Sequence, residues 1–254
     1  MLTVIQGIFD VKLKSRAKAE NVVRISEESL RKPEPPGSLR ENGNEMGAIN
    51  YTRGDAWHLL NEYTQSSSLL KHALAVEACM RAHGEAQATT QGLAAEPADA
   101  LRATYGITGL LHDFDYEKYP SAEEHPFIGN KILTEQGWPE EIREAIMGHA
   151  QYSGVPRKTH LAKALFASDE LAGFLTAVAL IKPTRSIFDV DVQSVRKKLK
   201  DKGFARGVQR EDIRLGAEEL GVEVDAHIAF CIAALQREAV ALGLEGSVAS
   251  SPHS

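Results

Sequence analysis

Cysteine is scarce in this chain of 254 residues, which holds only Cys79 and Cys231. Two thiols cannot build the cross-linked framework of a small secreted scaffold, so none is expected. Each lies in an apolar, helix-like run, and both are expected to be reduced core thiols of a cytosolic protein. Positive charge is not in excess: 29 Lys and Arg stand against 35 Asp and Glu, giving a net charge of −6 and a pI near 5.9. Without an overall basic field, general nucleic-acid binding and attachment to anionic membranes are not expected. No stretch reads as apolar for the eighteen or more residues that a membrane span needs. The N-terminus also lacks the basic start, apolar core and small-residue cleavage site of a secretory signal. Cytoplasm is the expected location. No repeat of fixed period is visible, which argues against a solenoid, and no base-reading motif or GxGxxG-type phosphate loop appears.

Apolar residues make up 43% of the chain, enough to bury a sizeable core. Residues 1–47 stand apart: a short alternating piece, LTVIQGIFDVKL, is followed by mixed charges and then by KPEPPGSLRENGNEMG, where Pro, Gly and Asn accumulate. This segment is expected to be a poorly ordered extension or linker without a part in the chemistry. From about residue 54 the apolar spacing is that of helices. Helices are expected over 54–64, 67–84, 97–113, 125–136, 139–151, 158–180, 191–200, 210–219 and 223–242, with Pro120, Pro126, Pro139, Pro156 and Pro183 marking starts or breaks. The expected fold is all-α, a helical bundle over 48–243 with a flexible tail over 244–254.

Within the helical part, histidine and aspartate recur in the order His72, His112-Asp113, His125, His149, Asp169. Leu69, His72, Val76 and Cys79 share one apolar helix face, and Leu101, Tyr105, Thr108 and His112 share another. Ile142, Ile146 and His149 repeat the pattern, as do Leu161, Leu165, Asp169 and Ala172. Four helices thus each turn a metal-ligand side chain inward. A single histidine on an apolar face is usually a hydrogen-bonded core residue. An inward aspartate is harder to explain that way, because a buried carboxylate is costly without a cation or several donors. Convergence of imidazoles and carboxylates in one chain points instead to a metal site. His125 precedes Pro126 at an expected helix start, where a ligand would be held rigidly. His58, His83, His160, His227 and His253 lack an inward face with a neighbouring carboxylate and are expected to be structural or solvated.

These residues resemble the HD superfamily of metal-dependent phosphohydrolases, whose fold is a helical bundle around one or two metal ions. The resemblance runs from His72 to Asp169 and more loosely to about residue 243. HPFIGNKIL is similar to the HP-x-I-G-x-x-I-L element of two-metal branches, EAIMGHAQYSG occupies the place of the histidine helix that follows, and KALFASDELAGFLTA that of the closing Asp helix. The resemblance implies that His72, His112 and Asp169 hold one divalent ion, that His125 and His149 hold a second, and that Asp113 bridges them. HDFDYEK stands where the HD-GYP branch has HDIGK, and no GYP element follows His149, which argues against cyclic di-GMP as substrate. The segment ALIKPTRSIFDVDVQSVRKKLKDKGFARGV resembles the tail of small stand-alone members.

Such a centre is expected to hydrolyse a phosphate ester, a nucleotide among the candidates, because two ions about 3.5–4 Å apart acidify a bridging water and polarise a phosphoryl oxygen. Asp113 is the expected catalytic bridge, with Asp115 orienting a water and Lys118 contacting phosphate. Asp115 and Lys118 read equally well as exposed loop charges. Arg196, Lys197, Lys198, Lys200 and Lys202 can supply phosphate contacts, although such a run is usually a solvated helix face. Arg185 is a further candidate contact. Two other readings use the same ligands: a dinuclear iron centre that activates dioxygen, as in a few HD relatives, and a metal-binding signalling module without catalysis. Mn, Fe, Mg, Zn, Co and Ni are not distinguished by these ligands.

Overall fold

Thr52 and Asp55 form a capping box, each side chain accepting from the other's backbone amide, and so open the first helix, α1 (Arg53–Tyr63). The computed structural model describes residues 51–246, so the expected N-terminal extension and most of the expected tail lie outside the described residues. After α1 come α2 (Ser67–Thr90), α3 (Ala95–Leu111), α4 (Phe127–Glu135), α5 (Glu140–His149) and α6 (His160–Ile181). They are followed by α7 (Val192–Lys200), α8 (Arg210–Leu220), α9 (Val224–Arg237) and α10 (Ala239–Leu242), with 3-10 turns at Gln151–Ser153 and Ile187–Asp189. Among the described residues there is no strand, and the fold is an all-α bundle.

The bundle is organised on α6. Thr159 caps its start by accepting from the Ala162 amide, and its end is set by Lys182, whose extended ψ of 149° suits the residue before Pro183. Between these ends α6 is apolar on nearly every side, as a helix must be when neighbours enclose it. Helices α2, α5 and α8 pack directly on it. Leu165, Leu171 and Leu175 are fully buried, each contributing about 1.5–3 kcal/mol relative to exposure. By length and composition α6 would suffice to cross a membrane, contrary to the expectation that no such stretch exists, but 83% of its apolar window is buried within the bundle. It is the core helix, and its buried polar residues include Asp169 and Glu170.

Helices α2 and α3 form the most extensive pair. Gly84 permits their approach, because a Cβ there would stand 2.9 Å from the Arg102 Cα and 3.2 Å from the Leu101 carbonyl oxygen. The sequence reading ended this helix at residue 84, where glycine lowers helix propensity, whereas α2 continues to Thr90. At the other end of the chain, the helix expected over 223–242 is broken at Glu238, which separates α9 from α10. Leu244 was expected in a flexible tail, yet it is 2% exposed and its carbonyl accepts from the Ile187 amide at 2.8 Å.

Candidate metal centre

Five elements bring six side chains to one place. His72 comes from the first half of α2, His112 caps the C-terminus of α3, and Asp113 follows it in the turn. His125 lies just ahead of α4, His149 is the last residue of α5, and Asp169 sits midway along α6. All but Asp113 are buried, and the Asp113 side chain retains 11% exposure. Its two carboxylate oxygens face opposite groups. Oδ2 lies 3.4 Å from His112 Nε2 and 3.9 Å from His72 Nε2, whereas Oδ1 lies 3.2 Å from the Nε2 atoms of both His125 and His149. Asp169 Oδ1 adds to the first group, 3.0 Å from His72 Nε2 and 3.4 Å from His112 Nε2. His72, His112 and Asp113 form one cluster with metal-ligand spacing, and Asp113, His125 and His149 form a second.

Three of the four outward ring nitrogens are already committed. His112 Nδ1–H donates to the Gly109 carbonyl at 2.8 Å, His149 Nδ1–H to the Ile146 carbonyl, and His125 Nδ1–H to Asp115 Oδ1 at 2.8 Å. These bonds fix ring orientation and direct each Nε2 at the cluster, the arrangement in which a backbone carbonyl or carboxylate supports a metal-bound imidazole. His125 Nε2 and His149 Nε2 then face each other at 3.3 Å, and His72 Nε2 and His112 Nε2 at 3.2 Å. At most one hydrogen fits between two such atoms, and carboxylate oxygens only accept. A cation among them relieves the crowding of lone pairs. The donor set, imidazole with carboxylate, suits Mn, Fe, Zn, Co or Ni. His72 Nδ1 is buried without a hydrogen-bond partner among the described residues.

With no cation, the charges must balance among themselves. Burial raises the Asp113 carboxyl, but His112, His125 and His149 outweigh it and hold the group well below its ordinary value. Asp169 is lowered in the same way by His112 and His72. Burial lowers His125, but Asp113 and Asp115 outweigh it and lift the ring to about 9. His112 is likewise raised well above its ordinary value by Asp113 and Asp169. Compared with protein-family models, curated proteins and solved structures, the chain gives no match. The functional reading therefore rests on the geometry.

Two expected participants stand elsewhere. Asp115, expected to orient a water, is 1% exposed and has both oxygens engaged: Oδ1 accepts from His125, and Oδ2 accepts from the Gly129 amide at 2.7 Å. This contact positions the His125 ring. Lys118 is exposed, and its ammonium lies 4.0 Å from the centroid of the Tyr63 ring rather than among the ligands. Arg185 is exposed with φ of 59°. In the basic run of α7, Arg196 pairs with Asp225 and Lys198 with Asp201, as on a solvated helix face.

Sequence reasoning missed Gly129 and Tyr152. A Cβ at Gly129 would fall 2.7 Å from the Asp115 carboxylate carbon, so only glycine lets this amide reach Asp115. A glycine in the first turn of α4, within HPFIGNKIL, was the available signal. Tyr152 donates its hydroxyl to the His125 carbonyl at 3.0 Å, and burial together with Asp113 pushes that hydroxyl up to about 12. Nothing in local spacing marks Tyr152, because its partner lies 27 residues away.

Proposed function

We propose that the chain is a metal-dependent phosphohydrolase of the HD type, acting on a small phosphate ester in the cytoplasm. The observation that carries this reading is the division of Asp113 between two ligand clusters, one at each carboxylate oxygen. A pair of divalent ions held there would supply an acidified water as nucleophile and a polarised phosphoryl oxygen. His72, His112 and Asp169 would hold one ion, His125 and His149 the other, with Asp113 between them. Asp115 keeps the His125 ring turned toward the centre, and Tyr152 fixes the backbone at the same residue. Asp113 has the most exposed side chain of the six ligands, which favours substrate approach at this carboxylate. Phosphoryl transfer needs positioning and charge neutralisation more than covalent help. Two free thiols suit a reducing compartment.

Metal analysis of the purified chain, coupled to phosphate release from a panel of phosphate esters with Mn, Fe, Co, Ni, Zn and Mg restored singly, tests the proposal. The expected result is up to two ions at the centre, with hydrolysis of at least one ester lost in Asp113→Ala. Absence of phosphate release with every metal, or an Asp113→Ala variant as active as the parent, would overturn it.

A further inference from the structure

A second group of ligand side chains lies away from this centre. On α2, Cys79 and His83 are separated by one helical turn, and on α9 His227 and Cys231 repeat that spacing in reverse order. At i, i+4 both members of each pair lie on the same helix face. The helices pack against each other, and ring nitrogens of His83 and His227 and the Cys231 sulfur all fall within 4.8 Å of one another. Cys79 lies near the Cys231 thiol, which burial and then this neighbour push well above its ordinary value. His83 lies eleven residues beyond His72, about 16 Å along the same helix, so the two sites are separate.

Three details go beyond proximity. His227 Nε2–H donates to the Ala167 carbonyl at 3.0 Å, which leaves the Nδ1 lone pair available, and the Cys231 sulfur lies beside the ring, 3.9 Å from Nδ1 and 3.8 Å from Nε2. The bond to Ala167 is the outer hydrogen bond by which a metal-bound histidine is usually oriented. His83 is 6% exposed, and its Nε2 is buried with no hydrogen-bond partner among the described residues. A core histidine ordinarily finds a partner for both ring nitrogens. Phe230 covers one side, its ring centroid 4.5 Å from that of His83.

We infer that His83, His227 and Cys231 form a second metal site, for a thiophilic ion such as Zn²⁺ or Cu⁺. The absence of a carboxylate and the presence of sulfur separate this site chemically from the His/Asp centre and disfavour Mg²⁺ and Mn²⁺. Tetrahedral zinc with bonds of about 2.0–2.3 Å brings its ligand atoms to roughly 3.5 Å from one another. Ligand atoms within 4.8 Å of one another therefore need to contract by no more than side-chain adjustment allows. On binding, a metal–sulfur bond forms and the Cys231 thiol proton leaves to solvent, with no change of oxidation state.

The whole chain, kept reduced with a non-thiol reductant, is titrated with Co²⁺ and followed in the near ultraviolet, where thiolate-to-cobalt charge transfer absorbs. The His/Asp centre holds no sulfur and cannot produce that band. The expected result is a band saturating at one ion per chain, retained in His112→Ala and lost in Cys231→Ser together with one bound ion. X-ray absorption of the zinc-loaded parent chain provides a reading that needs no variant, and a sulfur scatterer at about 2.3 Å is expected. A folded parent chain with neither the band nor the sulfur scatterer would overturn the inference, as would a band that survives Cys231→Ser. Loss of phosphate release with the sulfur signal intact would instead count against the hydrolase reading alone.

Discussion

At the scale of single residues, Asp115 separates support of a ligand from ligation. It touches His125 and the Gly129 amide, and each of its buried oxygens accepts from one of them. Asp115→Ala should therefore weaken the ion at His125 and His149 by about 10- to 100-fold, the usual cost of losing a ligand's outer partner, and leave the ion at His72 and His112 in place. Calorimetric metal titration of the variant checks this, and equal loss at both sites would contradict it. Gly129→Ala should produce the same selective loss, because the added methyl displaces the Asp115 carboxylate. His125 also predicts a pH dependence. Its ring titrates at about 9 in the folded chain against an ordinary 6.5. In chelated protein the stabilisation from that proton is complete below pH 6.5 and is lost as the pH rises through about 9. A cation on Nε2 must expel the same proton, so metal affinity should strengthen up to tenfold per pH unit over that window. Melting of the chelated chain and metal titration at three pH values should show these opposite trends. Flat affinity would mean that no proton is displaced.

Among the elements, Gly84 and Gly106 on the α2–α3 pair predict different outcomes for the same substitution. The Cβ added by Gly84→Ala meets backbone atoms of α3, which cannot step aside, and should cost about 1–3 kcal/mol in denaturant unfolding. At Gly106 the nearest atoms to the added Cβ belong to side chains, the 42% exposed Arg81 at 2.7 Å and Glu77 at 3.7 Å. Gly106→Ala should be neutral or gain up to about 1 kcal/mol from helix propensity. If the two variants lose stability equally, the helices are not in the contact described. The same pair shows what was legible in the sequence. Helix identity and the inward faces of His72, His149 and Asp169 follow from apolar spacing along a single element, so periodicity sufficed. The reach of α2 past Gly84 depends on a neighbour, and a glycine that ends a helix looks locally like one that admits another. Asp115 and Lys118 adjoin the His112-Asp113 pair in sequence and looked equivalent there. One is drawn under the ligands by a glycine amide, and the other turns onto Tyr63.

For the whole molecule, the candidate centre joins the N-terminal helices to the core helix, so ion binding and global stability should be linked. Chelation should lower the melting temperature, and ion at a hundredfold excess over its dissociation constant should restore about 2.7 kcal/mol per site. An unchanged melting curve after exhaustive chelation would show that no resident ion supports the fold. His72 and Asp169 meet at 3.0 Å although 97 residues separate them along the chain. A cation shared by these two side chains would act as a reversible cross-link, enclosing α3, α4 and α5 in one long loop of polypeptide. The disorder forgone by the unfolded chain when so long a loop is closed grows only as the logarithm of its length. Much of the effect should therefore appear as local order, with amide exchange slowing between residues 72 and 169 on metal addition and changing less across α7.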